Sequence, residues 1–192
     1  MLQVPVAVID ANVLYSAHLR HFFMYLVTHG LYRARWTEKI HAEWIGHVKN
    51  DYPSITKEYI HESRRLMNLH AAGSLVTGYE DIIPSLSLPD EKDRHVLAAA
   101  IFSKAPLIVT FNLIDFPSII LEQYAIEAVH PDSFLSALYD LSPSMFMAAF
   151  KHHHSQMKNS PLELSDFIKR FSNCGTPQIA HTIQRALSIG VS

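Results

Sequence analysis

The stretch VPVAVIDANVL, residues 4–14, decides the reading of this chain. Val4 to Ile9 is apolar and rich in β-branched residues, and it ends in the polar step Asp10-Ala-Asn12. That is the form of a short buried strand stopping at an acid. A helix-like stretch follows to about His29 and is closed by Gly30. Arg33 to Trp36 forms a second short strand in this reading. Thr37 then caps a helix running to about Asn50, with Ile40, Ile45 and Val48 toward the core. Thr56 precedes another helix, Lys57 to about His70, and Leu75 to Thr77 reads as a strand.

The same alternation continues downstream. Asp90 stands where an N-cap belongs, before a helical run from Glu91 to Lys104. Leu107 to Phe111 is a second apolar strand, and Ile126 to Val129 a weaker one. Strands alternating with helices predict an α/β fold around a mainly parallel sheet. Beyond residue 140 the pattern changes. Ser142-Pro143, Ser160-Pro161 and Thr176-Pro177 each place a hydroxyl before a proline, the arrangement that helix starts favour. The expected organisation is therefore an α/β domain over 1–140 and a helical C-terminal extension over 141–192, docked because no low-complexity linker separates them.

Bulk properties narrow the function. Cys174 is the one cysteine, so neither an internal disulfide nor a thiolate metal cluster is available. With no leader-like N-terminus, the expected location is cytoplasmic. The longest apolar stretches, such as Ala105 to Phe111, are too short to cross a bilayer, so no membrane role is expected. The net charge of −2 conceals an asymmetry, with −5 over residues 1–140 and +3 over residues 141–192. A basic extension offers phosphate affinity that the acidic body lacks, although a solvated helical face accounts for the same charges.

In an open parallel sheet the functional crevice lies at the carboxyl ends of the strands. Asp10 follows one apolar strand directly, and Asn112 and Asp115 follow another. Asp93 lies in the first turn of the helix before that second strand. Glu43 borders an apolar helix face instead of lying on the solvent stripe. Four acids meeting at one edge repel each other unless a cation neutralises them. Mg2+ or Mn2+ suits such an all-oxygen set and supports in-line hydrolysis of a phosphodiester. Each acid also has a bland reading. Asp10 caps a helix, Asp93 answers a helix dipole, Glu43 snorkels, and Asp115 steadies a turn. Asp90 is assigned the capping role and kept out of the acid set.

The segments VIDANVL (8–14), PDEKDRHVLAAA (89–100) and IVTFNLIDFP (108–117), with the isolated Glu43 between the first two, resemble the successive motifs of the PIN-domain family. The resemblance covers residues 1 to about 135. It implies a three-layer α/β/α fold and a divalent-metal-dependent endoribonuclease of the VapC-like toxin kind. By position, Asp10, Glu43 and Asp93 take the places of the family's main metal-site acids and Asp115 that of a less regular fourth. Asn12, Thr110 and Asn112 match its polar helpers. The same resemblance implies an RNA substrate, a cognate antitoxin as partner, and a homodimer.

Three other readings stand beside it. A haloacid-dehalogenase-type phosphatase also places an Asp after its first strand, but needs a second acid where Asn12 stands. A silent PIN-like module would bind RNA or protein without cutting. A housekeeping RNA-processing nuclease would cut without being a toxin. Among the histidines, His95 is expected to be partly buried in its helix, and His152, His153 and His154 to form a solvated surface. Met145, Phe146, Met147 and Phe150 are expected to pack a helix.

Overall fold

The computed structural model describes residues 4–157 and 162–190. The first strand, β1, is Val6–Ile9. It starts later than the apolar run because Pro5 has no N–H to donate to a ladder, although its carbonyl accepts from Arg33 N at 2.8 Å. The helical stretch that follows is broken in two, α1 (Ala11–Tyr15) and α2 (Ala17–Thr28). Ser16 makes the break. Its backbone is extended and its hydroxyl accepts from Leu19 N, capping α2. The buried Arg20 guanidinium donates to Leu14 O at 2.5 Å and to Tyr15 O at 3.3 Å, satisfying carbonyls at the end of α1.

Next come β2 (Arg33–Arg35), α3 (Glu38–Asp51) and α4 (Lys57–His70), with Thr37 and Thr56 capping the two helices as expected. The strand expected over Leu75–Thr77 is reduced to a single bridge, Trp36 to Leu75. The 3-10 turns Glu80–Ser85 and Glu91–Asp93 lead into α5 (Arg94–Ser103). Asp90 therefore caps a 3-10 turn, by accepting from Lys92 N at 2.9 Å, and not the α-helix itself. Then follow β3 (Leu107–Val109), a 3-10 turn Leu113–Asp115, α6 (Ser118–Leu121), β4 (Glu127–Val129) and α7 (Pro131–Leu141). The chain continues with α8 (Pro143–Ser155), α9 (Leu164–Asn173) and α10 (Pro177–Ser188).

The sheet is parallel throughout, in the order β2-β1-β3-β4. Ala7, Val8 and Ile9 are all fully buried. Consecutive strand residues point to opposite faces, so helices must cover both, and the architecture is three-layer α/β/α. No helix among the described residues is long and apolar enough to cross a membrane.

The helical extension packs directly onto the body. Phe146, Met147 and Phe150 of α8 are fully buried, whereas Met145 is exposed. Phe22 of α2 meets Phe146 edge-on at 5.3 Å and Phe171 at 4.9 Å. The expected solvated histidine surface is corrected at its centre. His153 is buried, stacking at 5.0 Å on Tyr25 and 5.9 Å on Phe22, while His152 remains exposed. The surrounding aromatic rings suit a neutral imidazole, and burial pushes the His153 pKa down to about 2.

The expected hydroxyl caps are corrected as well. Neither Ser142 nor Thr176 makes a side-chain cap. Thr176 Oγ1 instead donates back to Phe171 O at 2.9 Å. The first turn of α10 is capped from α7, 46 residues away in sequence, where the buried Asp132 accepts from Gln178 N at 2.8 Å and Ile179 N at 2.9 Å. Ser160 and Pro161 lie outside the described residues, and α9 begins at Leu164.

Candidate metal centre

The strand order places a topological switch point between β1 and β3, because the chain leaves β1 toward β2 on one side and returns to β3 on the other. Ligand crevices in open parallel sheets form outside the strand ends at such points. Ile9 is in register with Val109, so Asp10 and Thr110 emerge side by side. Asp10 Oδ1 accepts from Ala11 N at 2.6 Å. Its Oδ2 accepts from Thr110 Oγ1 and from Asn12 Nδ2, both at 2.7 Å. The bland reading of Asp10 as a cap for α1 is thus true, and leaves it at the switch point all the same.

Asn12 and Thr110 knit the two strand ends together. Asn12 Nδ2 also donates to Thr110 Oγ1 at 2.8 Å, while its Oδ1 accepts from Phe111 N at 3.2 Å. Thr110 Oγ1 further accepts from Asn112 N at 3.0 Å. Asn112 Nδ2 in turn donates to Asp115 Oδ2. These bonds aim two carboxylates from different loops at one edge.

Asp93 stands at the start of α5 but makes no capping bond, so its carboxylate is free to face that edge. Oxygens of Asp90, Asp93 and Asp115 lie within 4.8 Å of one another. Asp90, left out of the acid set by its capping role, is thus grouped with two members of that set. Capping occupies only one carboxylate oxygen, Oδ1, through Lys92 N. An acid that both caps and joins a cluster looks the same in sequence as one that only caps.

Electrostatics joins these groups to the rest. Burial first, and then the neighbouring charges of Asp10, Asp90 and Asp115, raise the Asp93 pKa to about 6. Burial also raises that of Asp10, against the lowering effect of its hydrogen bonds, with the charge of Glu43 adding to the rise.

Glu43 reaches the edge from α3. His41 ties that helix to α4, with Trp44 Nε1 donating to His41 Nδ1 at 3.0 Å and His41 Nε2 lying 3.2 Å from Asn68 Oδ1. His41 and Trp44 are buried core residues, while the expected core residue Ile45 is only half-buried. Glu43 Oε1 lies 3.0 Å from Nε2 of His95. His95 is fully buried, more deeply than expected.

This donor set fits a hard divalent cation. All its groups are carboxylates, and the like-charge repulsion that adds to burial in raising the Asp93 pKa is what a cation relieves. Opposite ligands of Mg2+ are about 4.2 Å apart at its usual bond length. The span of Asp90, Asp93 and Asp115 is therefore close to what one ion and its water shell bridge.

A PIN-domain family model matches residues 6–113, more than half of the chain. The chain belongs to the PIN-domain family. Asp10, Glu43, Asp93, Thr110 and Asn112 fall inside the matched span and Asp115 lies two residues beyond it. A model of the VapC50 C-terminal domain matches residues 131–185. That span starts with α7 and so contains both Asp132 and the α10 turn that it caps. Among curated proteins, "Putative ribonuclease VapC50" of Mycobacterium tuberculosis is 50% identical over 64 residues, which cover 33% of this chain and 37% of that protein. The chain thus aligns with little more than a third of that relative. No solved structure gives a significant match.

In this PIN domain the C-terminal helices come up to the acid edge. Gly175, between α9 and α10, has φ +83°, and a Cβ there would lie 2.9 Å from Phe111 Cε1. Phe111 separates Thr110 from Asn112. Cys174 Sγ lies 3.2 Å from Ser16 Oγ, at the end of α1. A groove of about 390 Å³ between α9 and α10 is lined by Lys169, His181, Gln184 and serines. A larger one of about 610 Å³, between α2, α4 and α8, is lined by Met24, Tyr25, Leu66 and Met67 among others. Neither is lined by the acids.

Proposed function

We propose that this chain is a divalent-metal-dependent endoribonuclease, the toxin of a type II toxin-antitoxin pair. The observation that carries the reading is the grouping of Asp93 and Asp115 within 4.8 Å, with Asp93 coupled by charge to Asp10 at the β1/β3 switch point and Asp10 in turn to Glu43. The family and the VapC50-like sequence support RNA as the polymer.

Asp10, Glu43, Asp93 and Asp115 would hold Mg2+ or Mn2+, with Asp90 available on the same edge. A bound divalent ion supplies Lewis-acid neutralisation of phosphate charge and activates water for in-line attack. The protein's own work is positioning. Thr110 and Asn12 keep Asp10 oriented, and Asn112 does the same for Asp115. The C-terminal helices carry a net positive charge that would add phosphate affinity to an otherwise acidic body. The organisation we favour remains a nuclease domain over 1–140 with a helical extension over 141–192, working in the cytoplasm. An antitoxin would restrain the enzyme by covering the edge and placing a basic side chain among the acids, and a homodimer is the assembly expected for the family.

The test is cleavage of RNA by purified protein with Mn2+ or Mg2+ and with chelator, alongside Mn2+ binding by calorimetry. Asp10→Asn and Asp93→Asn should each abolish cleavage and weaken binding. Cleavage that survives in both variants refutes the site. Tight RNA binding without cleavage at any metal concentration favours the silent module instead.

A further inference from the structure

His95 is the polar side chain of this edge that its surroundings leave unexplained. It sits on α5 two residues after Asp93, 1% exposed, and is followed by the buried run Val96, Leu97, Ala98, Ala99, Ala100. Neither ring nitrogen makes an aligned hydrogen bond. The nearest partner is Glu43 Oε1, 3.0 Å from Nε2, close enough to bond but out of line. A buried polar group with no settled partner is rare in a native core and commonly marks a site that is completed by something else. Polar contacts in ligand-free sites are often poorly aligned and tighten only when the site fills.

We propose that His95 is a positioning residue for Glu43. The inference rests on the metal-nuclease reading above and names a role within it. The ring turns Nε2 toward the Glu43 carboxylate, as its donor. The Glu43 side chain, 32% exposed, is thereby held toward the switch point, with its other oxygen left available to a cation. A carboxylate at the edge of a helix needs such a constraint, because its rotamers otherwise lead to water. Partners of this kind, one bond behind the ligands, typically govern metal affinity. The competing explanation is that His95 merely fills space as a flat ring.

The experiment measures Mn2+ affinity by calorimetry on the full chain, with thermal unfolding as the control for folding. His95→Phe keeps the ring and removes both nitrogens, and His95→Leu serves if the phenylalanine is not accommodated. Either should weaken Mn2+ binding by roughly 10- to 100-fold while leaving a folded protein. His95→Gln can place an amide N–H near the Nε2 position and should restore most of the affinity. In a Glu43→Gln background, removing the imidazole should change affinity no further, since two residues acting through one contact are not additive. Wild-type affinity in His95→Phe, an equal loss in His95→Gln, or additive losses with Glu43→Gln would overturn the assignment while leaving the nuclease reading intact. Failure of the wild-type chain to bind Mn2+ would overturn both.

Discussion

Replacing Asp132 by alanine should detach the C-terminal helices before it disturbs the sheet. Asp132 is 3% exposed and both of its oxygens are engaged, by Gln178 N at 2.8 Å and Ile179 N at 2.9 Å. These are first-turn N–H groups of α10, which have no partners within their own helix, and Thr176 offers them no side-chain cap. A hydrogen bond to a charged group contributes about 1.5–3 kcal/mol. A carboxylate at a helix N-terminus adds about 0.3–1 kcal/mol through the helix dipole. Alanine loses both bonds and leaves two donors without a partner, that of Ile179 buried and that of Gln178 partly so, so Asp132→Ala should cost about 3–5 kcal/mol. At about 2–4 °C per kcal/mol for a chain of this size, Tm should fall by about 6–20 °C. Asp132→Asn keeps one acceptor and turns an amide donor toward the second N–H, so it should lose about half as much. Urea unfolding gives the energies, and hydrogen exchange at Gln178 and Ile179 locates the loss. The reasoning fails if Asp132→Ala costs less than about 1 kcal/mol, or if exchange rises first in β1 and β3 instead of α10.

Two further outcomes concern pH. In the metal-free protein Asp93 has its pKa raised from 3.8 to about 6, so its contribution to stability is fully present below pH 3.8 and is lost as pH rises through 6. Asp93→Asn should remove that fall, so the wild-type urea midpoint should decline relative to the variant between pH 4 and 7, and parallel profiles would contradict the electrostatic account. His153 works in the opposite sense, since burial lowers its pKa from 6.5 to about 2, with His18 and His21 beside it each lowered to about 4. Stability from these neutral rings is full above pH 6.5 and is lost as pH falls toward 4, so His153→Phe should flatten the acid limb of a Tm–pH curve, and an unchanged slope would assign that limb to other groups.

Read without coordinates, VPVAVIDANVL and LIVTF already carried the sheet, because a β-branched run ending in a polar step has few other uses. Thr37 and Thr56 were legible for the same reason, since caps act within four residues of themselves. Asp10, Asn12, Thr110 and Asn112 could be singled out because strand ends are local features, and the structure joins them in one hydrogen-bonded unit. Tertiary structure decided what depends on partners distant in sequence. Ser16 ends α1 with help from a buried guanidinium. Leu75 contributes one bridge and not a strand, its pairing confined to the two bonds that Trp36 makes with Ser74 and Val76. Asp90 joins Asp93 and Asp115 because a 3-10 turn brings it round, and no periodicity announces that turn. His153 and His95 are buried, which a run of histidines or a helical position cannot reveal. Asp132 ties α7 to α10 across 46 residues. Sequence patterns record the hydrogen bonds and packing that a residue arranges with its near neighbours. Burial, charge coupling and long-range caps are properties of the folded assembly, and at the acid edge they set the protonation of Asp93 and leave His95 facing Glu43.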